Sequence, residues 1–127
     1  FNRALYVSME NRRTLNSADF LSKGKIEDFG ELMYKSHEGL TNKYKVSCEE
    51  LDFLVDFSKS YDKVIGSRMM GGGFGGCTIN LIHKSVVDEY ISKICESYYK
   101  KFQISLAPIK VSASDGLLLK NIWDFYI

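Results

Sequence analysis

The sequence predicts an α+β domain, in which helices cover one face of an antiparallel sheet and further helices precede it. Three observations carry that expectation. Apolar residues recur at helical spacing through the first sixty positions. The spacing switches to strand-like alternation on either side of a glycine cluster, and six of the ten glycines lie between Gly66 and Gly76. Helical spacing then returns at about Ser85, so helices and strands share one chain.

The elements follow in order. Leu5, Met9 and Leu15 fall on one face of a helix over about residues 2–16, with Arg3, Glu10, Arg12 and Arg13 on its polar side. Glu10 and Arg13, at i and i+3, read as a surface or interdomain pair. Gly24 breaks the pattern. A second helix over 26–40 carries the stripe Ile26, Phe29, Leu32, Met33, His37, Leu40, close to the 3.6-residue period. Ser47-Cys48-Glu49-Glu50 has the form of a capping box, and the helix it opens places Leu51, Leu54, Val55 and Ser58 inward before ending near Ser60. Residues 63–70 read as a short strand. In a second strand Cys77, Ile79 and Leu81 alternate with Thr78, Asn80 and Ile82, and Cys77 reads as a small buried hydrophobe. A fourth helix over about 85–102 aligns Val87, Ile91, Ile94, Cys95 and Tyr98, behind a weaker capping box at Ser85–Asp88. Ile104 and Leu106, then Ile109, Val111 and Ala113, form two further alternating runs, out of step at Pro108, where a bulge or edge kink would absorb the slip.

Composition bounds the function. The 127 residues suit one domain, and 45% hydrophobic with 26% charged residues is ordinary for a water-soluble fold. A net charge of +1 offers no basic field for nucleic acid. No apolar run approaches the ~18 residues of a membrane span. Cys48, Cys77 and Cys95 are odd in number and widely spaced, which argues against a disulfide framework or a zinc site and for a reducing compartment, the cytoplasm. The chain begins at Phe1 with no Met, directly in a helical pattern, so we expect a segment of something longer.

Gly71-Gly72-Gly73-Phe74-Gly75-Gly76 matches G-x-G-x-x-G literally. A dinucleotide fingerprint, however, needs a helix after it, to hold the pyrophosphate at its N-terminus, and here CTINLI follows. A Walker loop fails as well, because no Gly-Lys-Ser/Thr closes the run. A plain hairpin connection needs one or two glycines, and each extra one costs roughly 0.5–1 kcal/mol relative to alanine. The excess points to backbone passing close to a ligand or to another segment, where any Cβ would clash.

The residues also resemble a family. GSRMMGGGFGGC is similar to the third motif of galactokinases, the sugar-kinase branch of the GHMP kinase superfamily, whose usual form is RMTGGGFGGC. ENRR (10–13) resembles the family's E-x-x-R element, FGELMYKSHEGL (29–40) its G-x-LM-x-x-SH-x-SL helix, and YKVSCEELDFLV (44–55) its Y-x-VS-x-ELD-x-L segment. SDGLLL (114–119) suits the family's chain end. Two positions depart from the pattern: Met70 stands where Thr is usual, and Tyr6 where His is frequent.

The resemblance implies a ferredoxin-like C-terminal domain with added helices, from an enzyme that uses ATP and Mg²⁺ to convert D-galactose to galactose 1-phosphate in a cleft between two domains. The phosphate-cradling loop, the catalytic aspartate with its arginine and the galactose signature belong to the family's N-terminal domain, and none is found in this chain. We therefore assign residues 1–127 to a single domain with no catalytic residue and no metal ligand, inactive by itself and partnered by an N-terminal ATP and substrate domain. Gly71, Gly72, Gly73, Phe74 and Gly75 are the expected substrate- and phosphate-proximal loop, with Phe74 either walling the pocket or plugging the core. Arg68, Met70, Ser36 and His37 are expected to support it, Arg68 pairing with a carboxylate such as Asp52 or facing ATP phosphates. His37 and Ser36 read first as satisfied core or interdomain residues. Alternatives are a related sugar 1-kinase acting on N-acetylgalactosamine or arabinose, a catalytically silent galactokinase-like sensor, and a free-standing binding domain.

Overall fold

The computed structural model describes residues 1–112, and there the helical spacings become four α-helices around a two-stranded sheet. In chain order they are α1 (Asn2–Ser22), α2 (Ile26–Gly39) running into a π-helical turn (Leu40–Tyr44), α3 (Glu49–Lys59), β1 (Val64–Met70), β2 (Cys77–Ile82), and a 3₁₀ turn (Lys84–Val86) leading into α4 (Val87–Phe102). The strands are antiparallel, with Arg68 opposite Ile79 and Met70 opposite Cys77, and β1 bulges between Val64 and Gly66. The α+β class holds, with α3, β1, β2 and α4 following one another in the chain.

Where apolar spacing reports burial, the elements form as read. Leu51, Leu54, Val55 and Ser58 of α3 are all buried. Leu54, Val64, Tyr90, Ile94 and Tyr98 make the main core, with Phe53, Phe57, Tyr61, Ile82, Phe102 and Leu106 packed on it. Most aromatic rings in this cluster meet tilted or edge-on, as in the 4.7 Å Tyr98–Phe102 and 5.3 Å Tyr61–Tyr90 pairs, while Phe57 and Tyr61 are stacked. A second, backbone-close contact lays α2 along β1, with Tyr34 Oη donating to the Val64 carbonyl at 3.4 Å.

Several expectations are corrected. The α1 helix runs on to Ser22, and its inward face is Tyr6, Glu10, Arg13, Ser17 and Phe20, while Leu5, Met9 and Leu15 are exposed. The buried Tyr6 ring and the polar pairing of Glu10 with Ser36 of α2 and Arg68 of β1 set that face. The α3 helix starts at Cys48, not Ser47, and no side chain caps it; the Ser47 hydroxyl is drawn instead to Asp52 at 2.6 Å. Glu50 does turn back, to its own N–H and the Cys48 thiol, which lowers its pKa. Before α4, His83 supplies the cap by accepting from the Ser85 N–H.

On β2 the two faces are exchanged: Cys77 and Ile79 are exposed, and Thr78 and Asn80 are half-buried. A buried polar contact explains the exchange, since the Ser58 hydroxyl lies 3.0 Å from Asn80 Oδ1 and 2.6 Å from Tyr90 Oη. Residues 103–112 form no strand. Gln103 ends α4 in the left-handed conformation, and the chain turns back along the helix, with Leu106 on the core and Lys110 paired to Asp88. Neither strand of the sheet takes this segment as a partner. Ala113 and the run 114–119 lie outside the described residues.

Candidate functional site

The glycine loop, residues 71–76, joins β1 to β2 as an irregular connection. Gly73 has a φ of +87°, and a Cβ built on it would lie 2.1 Å from the Val46 carbonyl oxygen. The next N–H, that of Phe74, donates to the same oxygen at 2.7 Å. The loop's midpoint is thus clamped to the segment before α3. Around Gly71, Gly72, Gly75 and Gly76 an added Cβ would meet nothing within 4 Å. Among the described residues, then, close backbone approach accounts for Gly73 alone in this loop. Phe74 sits in the left-handed region, φ 60°, and is 76% exposed, so it does not plug the core. Met70 is half-exposed at the end of β1.

Beneath the loop lie Ser36 and His37 of α2 and Arg68 of β1, each tied to a carboxylate that sequence reasoning did not assign to it. Glu10 of α1 accepts from Ser36 Oγ at 2.5 Å on Oε1, and Arg68 Nη1 lies 3.5 Å from the same oxygen. Arg13 pairs with the other oxygen, and Arg13 and Glu10 are largely shielded. Arg68 therefore pairs with Glu10 and not with Asp52. Its Nε also donates to the Met69 carbonyl at 3.1 Å, so the side chain is spent on structure at the base of the loop.

Asp52 forms the second centre. Its Oδ1 receives His37 Nε2 at 3.0 Å, Thr41 Oγ1 at 2.9 Å and Ser47 Oγ at 2.6 Å. On the far side of the imidazole, Nδ1 accepts the backbone N–H of Met69 at 3.2 Å. These partners fix one tautomer: Nε2 carries the proton, and Nδ1 must stay bare to accept. His37 is 4% exposed and Ser36 1%, and both are satisfied by hydrogen bonds. The sequence signals for the two carboxylates were their places in ENRR and in YKVSCEELDFLV.

Burial pushes the His37 pKa below its ordinary 6.5, against the opposing pull of Asp52. An unfolded chain takes up this proton below about pH 6.5, and the fold resists it. Stability is therefore complete above that pH and is lost as the pH falls from 6.5 through the lower folded-state value. We expect the urea midpoint to drop between pH 7.5 and 5.5, and His37→Gln to flatten that part of the profile. Glu50, Glu89 and Glu96, all shifted below 4.5, titrate outside this window. An equal slope in the variant would remove His37 as the cause.

A cavity of about 340 Å³, lined by Glu27, Glu31, Lys63, Val64, Ile65 and His83, opens at the other end of the sheet from the loop. Around the loop itself the chemistry on offer is exposed backbone N–H groups and an aromatic ring. Among the described residues no nucleophile–base pair meets there.

The family model described as GHMP kinases C terminal matches residues 17–100, spanning α2, the glycine loop and most of α4. The chain belongs to the GHMP kinase family. This GHMP kinase domain is 43% identical over 115 residues, 91% of its length, to the galactokinase of Thermotoga maritima, and 41% identical over 99 residues to that of Bacillus subtilis. The crystal structure of Lactococcus lactis galactokinase complexed with galactose superposes with a TM-score of 0.79 at 33% identity, covering 82% of this chain and 27% of that one. The domain spans about a third of the length of the Thermotoga relative and a quarter of the Bacillus one.

Proposed function

We propose that this domain is the C-terminal part of a galactokinase that transfers the γ-phosphoryl group of ATP to D-galactose, giving galactose 1-phosphate. The observation that carries the reading is the 43% identity to a galactokinase across nearly the whole chain, glycine loop included. The geometry agrees with it. The loop is clamped at Gly73 and Phe74, and among the described residues the backbone around Gly71, Gly72 and Gly75 is open, which supports a surface free to take a ligand or a second domain. We assign that role to an N-terminal domain holding nucleotide and sugar, with the whole enzyme in the cytoplasm.

ATP supplies the phosphoryl group, and its Mg²⁺ neutralises the charge that develops on it. Among the described residues no three His, Cys, Asp or Glu converge to hold a metal ion. What fits an anion is the run of unshielded N–H groups in the loop, which suits phosphate oxygens as backbone nests do. Gly71, Gly72 and Gly75 would take that part, and Phe74 would wall the pocket. Ser36, His37 and Arg68 hold the loop's base. Phosphoryl transfer depends chiefly on positioning and charge neutralisation, so a domain that closes the site contributes without a base or nucleophile of its own.

The test is ATP-dependent phosphorylation by the full-length chain offered galactose, N-acetylgalactosamine and arabinose, with the 127-residue domain in parallel. We expect galactose turnover by the full chain and none by the domain. Preference for another of the sugars would change the substrate, and turnover by the domain alone would overturn the division of labour. Binding without turnover would mark a sensor and make Met70→Thr the first reversion.

A further inference from the structure

The glycine loop hangs from two points of the fold, and both lead back to one oxygen atom. At its entry, the Met69 N–H donates to His37 Nδ1 at 3.2 Å, and His37 Nε2 reaches Asp52 Oδ1 at 3.0 Å. At its middle, the Phe74 N–H donates to the Val46 carbonyl at 2.7 Å, and the next residue, Ser47, places its hydroxyl 2.6 Å from the same Asp52 oxygen. Thr41 Oγ1 adds a third donor at 2.9 Å, from the π-helical turn. We propose that Asp52 is the positioning residue of the glycine loop, a single carboxylate oxygen that sets the loop's entry strand and its midpoint in register with each other. It touches neither the loop backbone nor any reacting atom; it acts through His37 and Ser47.

Three features separate this from ordinary helix packing. The donors come from three successive pieces of backbone, α2, the π-helical turn and the segment before α3, and they converge on one oxygen beside the Val46 N–H bond to the Leu40 carbonyl at 3.1 Å. Asp52 lies in the first turn of α3, an end of the helix that favours a negative charge. Finally, the imidazole between Asp52 and Met69 has both nitrogens occupied, so removing the carboxylate leaves its N–H without an acceptor in a buried place and frees the ring to turn away from Met69.

The two arms make the proposal separable, and its catalytic consequence rests on the kinase reading above. In the full-length protein, Asp52→Ala is expected to speed amide hydrogen exchange at both Met69 and Phe74 by about tenfold, while amides of α4 keep their rates. Ser47→Ala should speed Phe74 alone and His37→Gln should speed Met69 alone. With ATP and galactose, Asp52→Ala is expected to lower kcat on the order of 10- to 100-fold, with galactose KM changed less than about twofold, because the loop is displaced and the sugar's contacts are not. Asp52→Glu, which keeps the acceptor, should recover part of kcat. Should Asp52→Ala fail to fold, Asp52→Glu and the two single-arm variants carry the exchange test. Unchanged exchange at both amides, or faster exchange everywhere including α4, would overturn the proposal. So would an unchanged kcat in an active enzyme. If the wild-type chain phosphorylates none of the sugars, the kinase reading falls, and the exchange pattern alone decides the positioning role.

Discussion

Replacing Gly30 with alanine is expected to lower the unfolding temperature of this chain by about 10 °C, which corresponds to about 2–3 kcal/mol for a domain of this size. The reason is a backbone-on-backbone crossing. A Cβ on Gly30 would lie 2.1 Å from the Ile65 carbonyl oxygen and 2.7 Å from its Cγ2, and a Cβ on Gly66 would lie 2.6 Å from the Gly30 Cα. The α2 helix meets β1 where neither carries a side chain. The carbonyl cannot yield alone, because β1 is paired to β2 and held to α2 by Tyr34 at Val64 and by His37 at Met69. Alanine is better than glycine in a helix interior by about 1 kcal/mol, so the substitution opposes a local gain to a larger tertiary loss. Thermal unfolding by circular dichroism measures the balance. A melting point at or above the wild-type value would show that α2 can slide on β1 and that the close crossing is not required.

The sequence was legible where apolar spacing and burial coincide. On α3 the residues read as inward are the residues that are inward, down to Ser58, because that helix is held by hydrophobic contact. The α1 helix was misread for the opposite reason. Its inward face is built on Tyr6, Glu10 and Arg13, and Glu10 is there to meet Ser36 and Arg68, which lie 26 and 58 residues away. Such partners are set by the fold and leave no local period. The same holds on β2, where Asn80 turns in toward Ser58 and carries Cys77 outward. Of the candidate site, the loop stood out because its glycine content exceeds what a hairpin needs. The carboxylates behind it did not, since Asp52 looks like any first-turn acid until His37, Thr41 and Ser47 are seen converging on it.

In the full-length protein, and on the kinase reading proposed above, Gly73→Ala is expected to leave the fold nearly intact and to lower galactose phosphorylation on the order of 100-fold, the cost of displacing a positioning element by about an ångström. Two penalties fall on this one residue. Its φ of +87° is strained for any residue with a Cβ, and the added methyl would sit 2.1 Å from the Val46 oxygen and 2.9 Å from the Val46 Cβ. The cheapest relief is for the loop to lift away from Val46. That movement breaks the Phe74 N–H bond to the same oxygen and carries the exposed Phe74 ring with it. The loop is solvent-facing and adds little to the core, so the melting temperature should move by less than about 3 °C. Gly72→Ala is the matched control: a Cβ there meets no described residue within 4 Å and the residue has no positive φ, so alanine strains nothing among the described residues. A loss of kcat in the Gly72 variant would place a neighbour against that residue from outside the described residues. Loss at Gly73 alone would mean that the loop works through its register on Val46. Full activity in both would remove the glycine loop from the kinase site altogether.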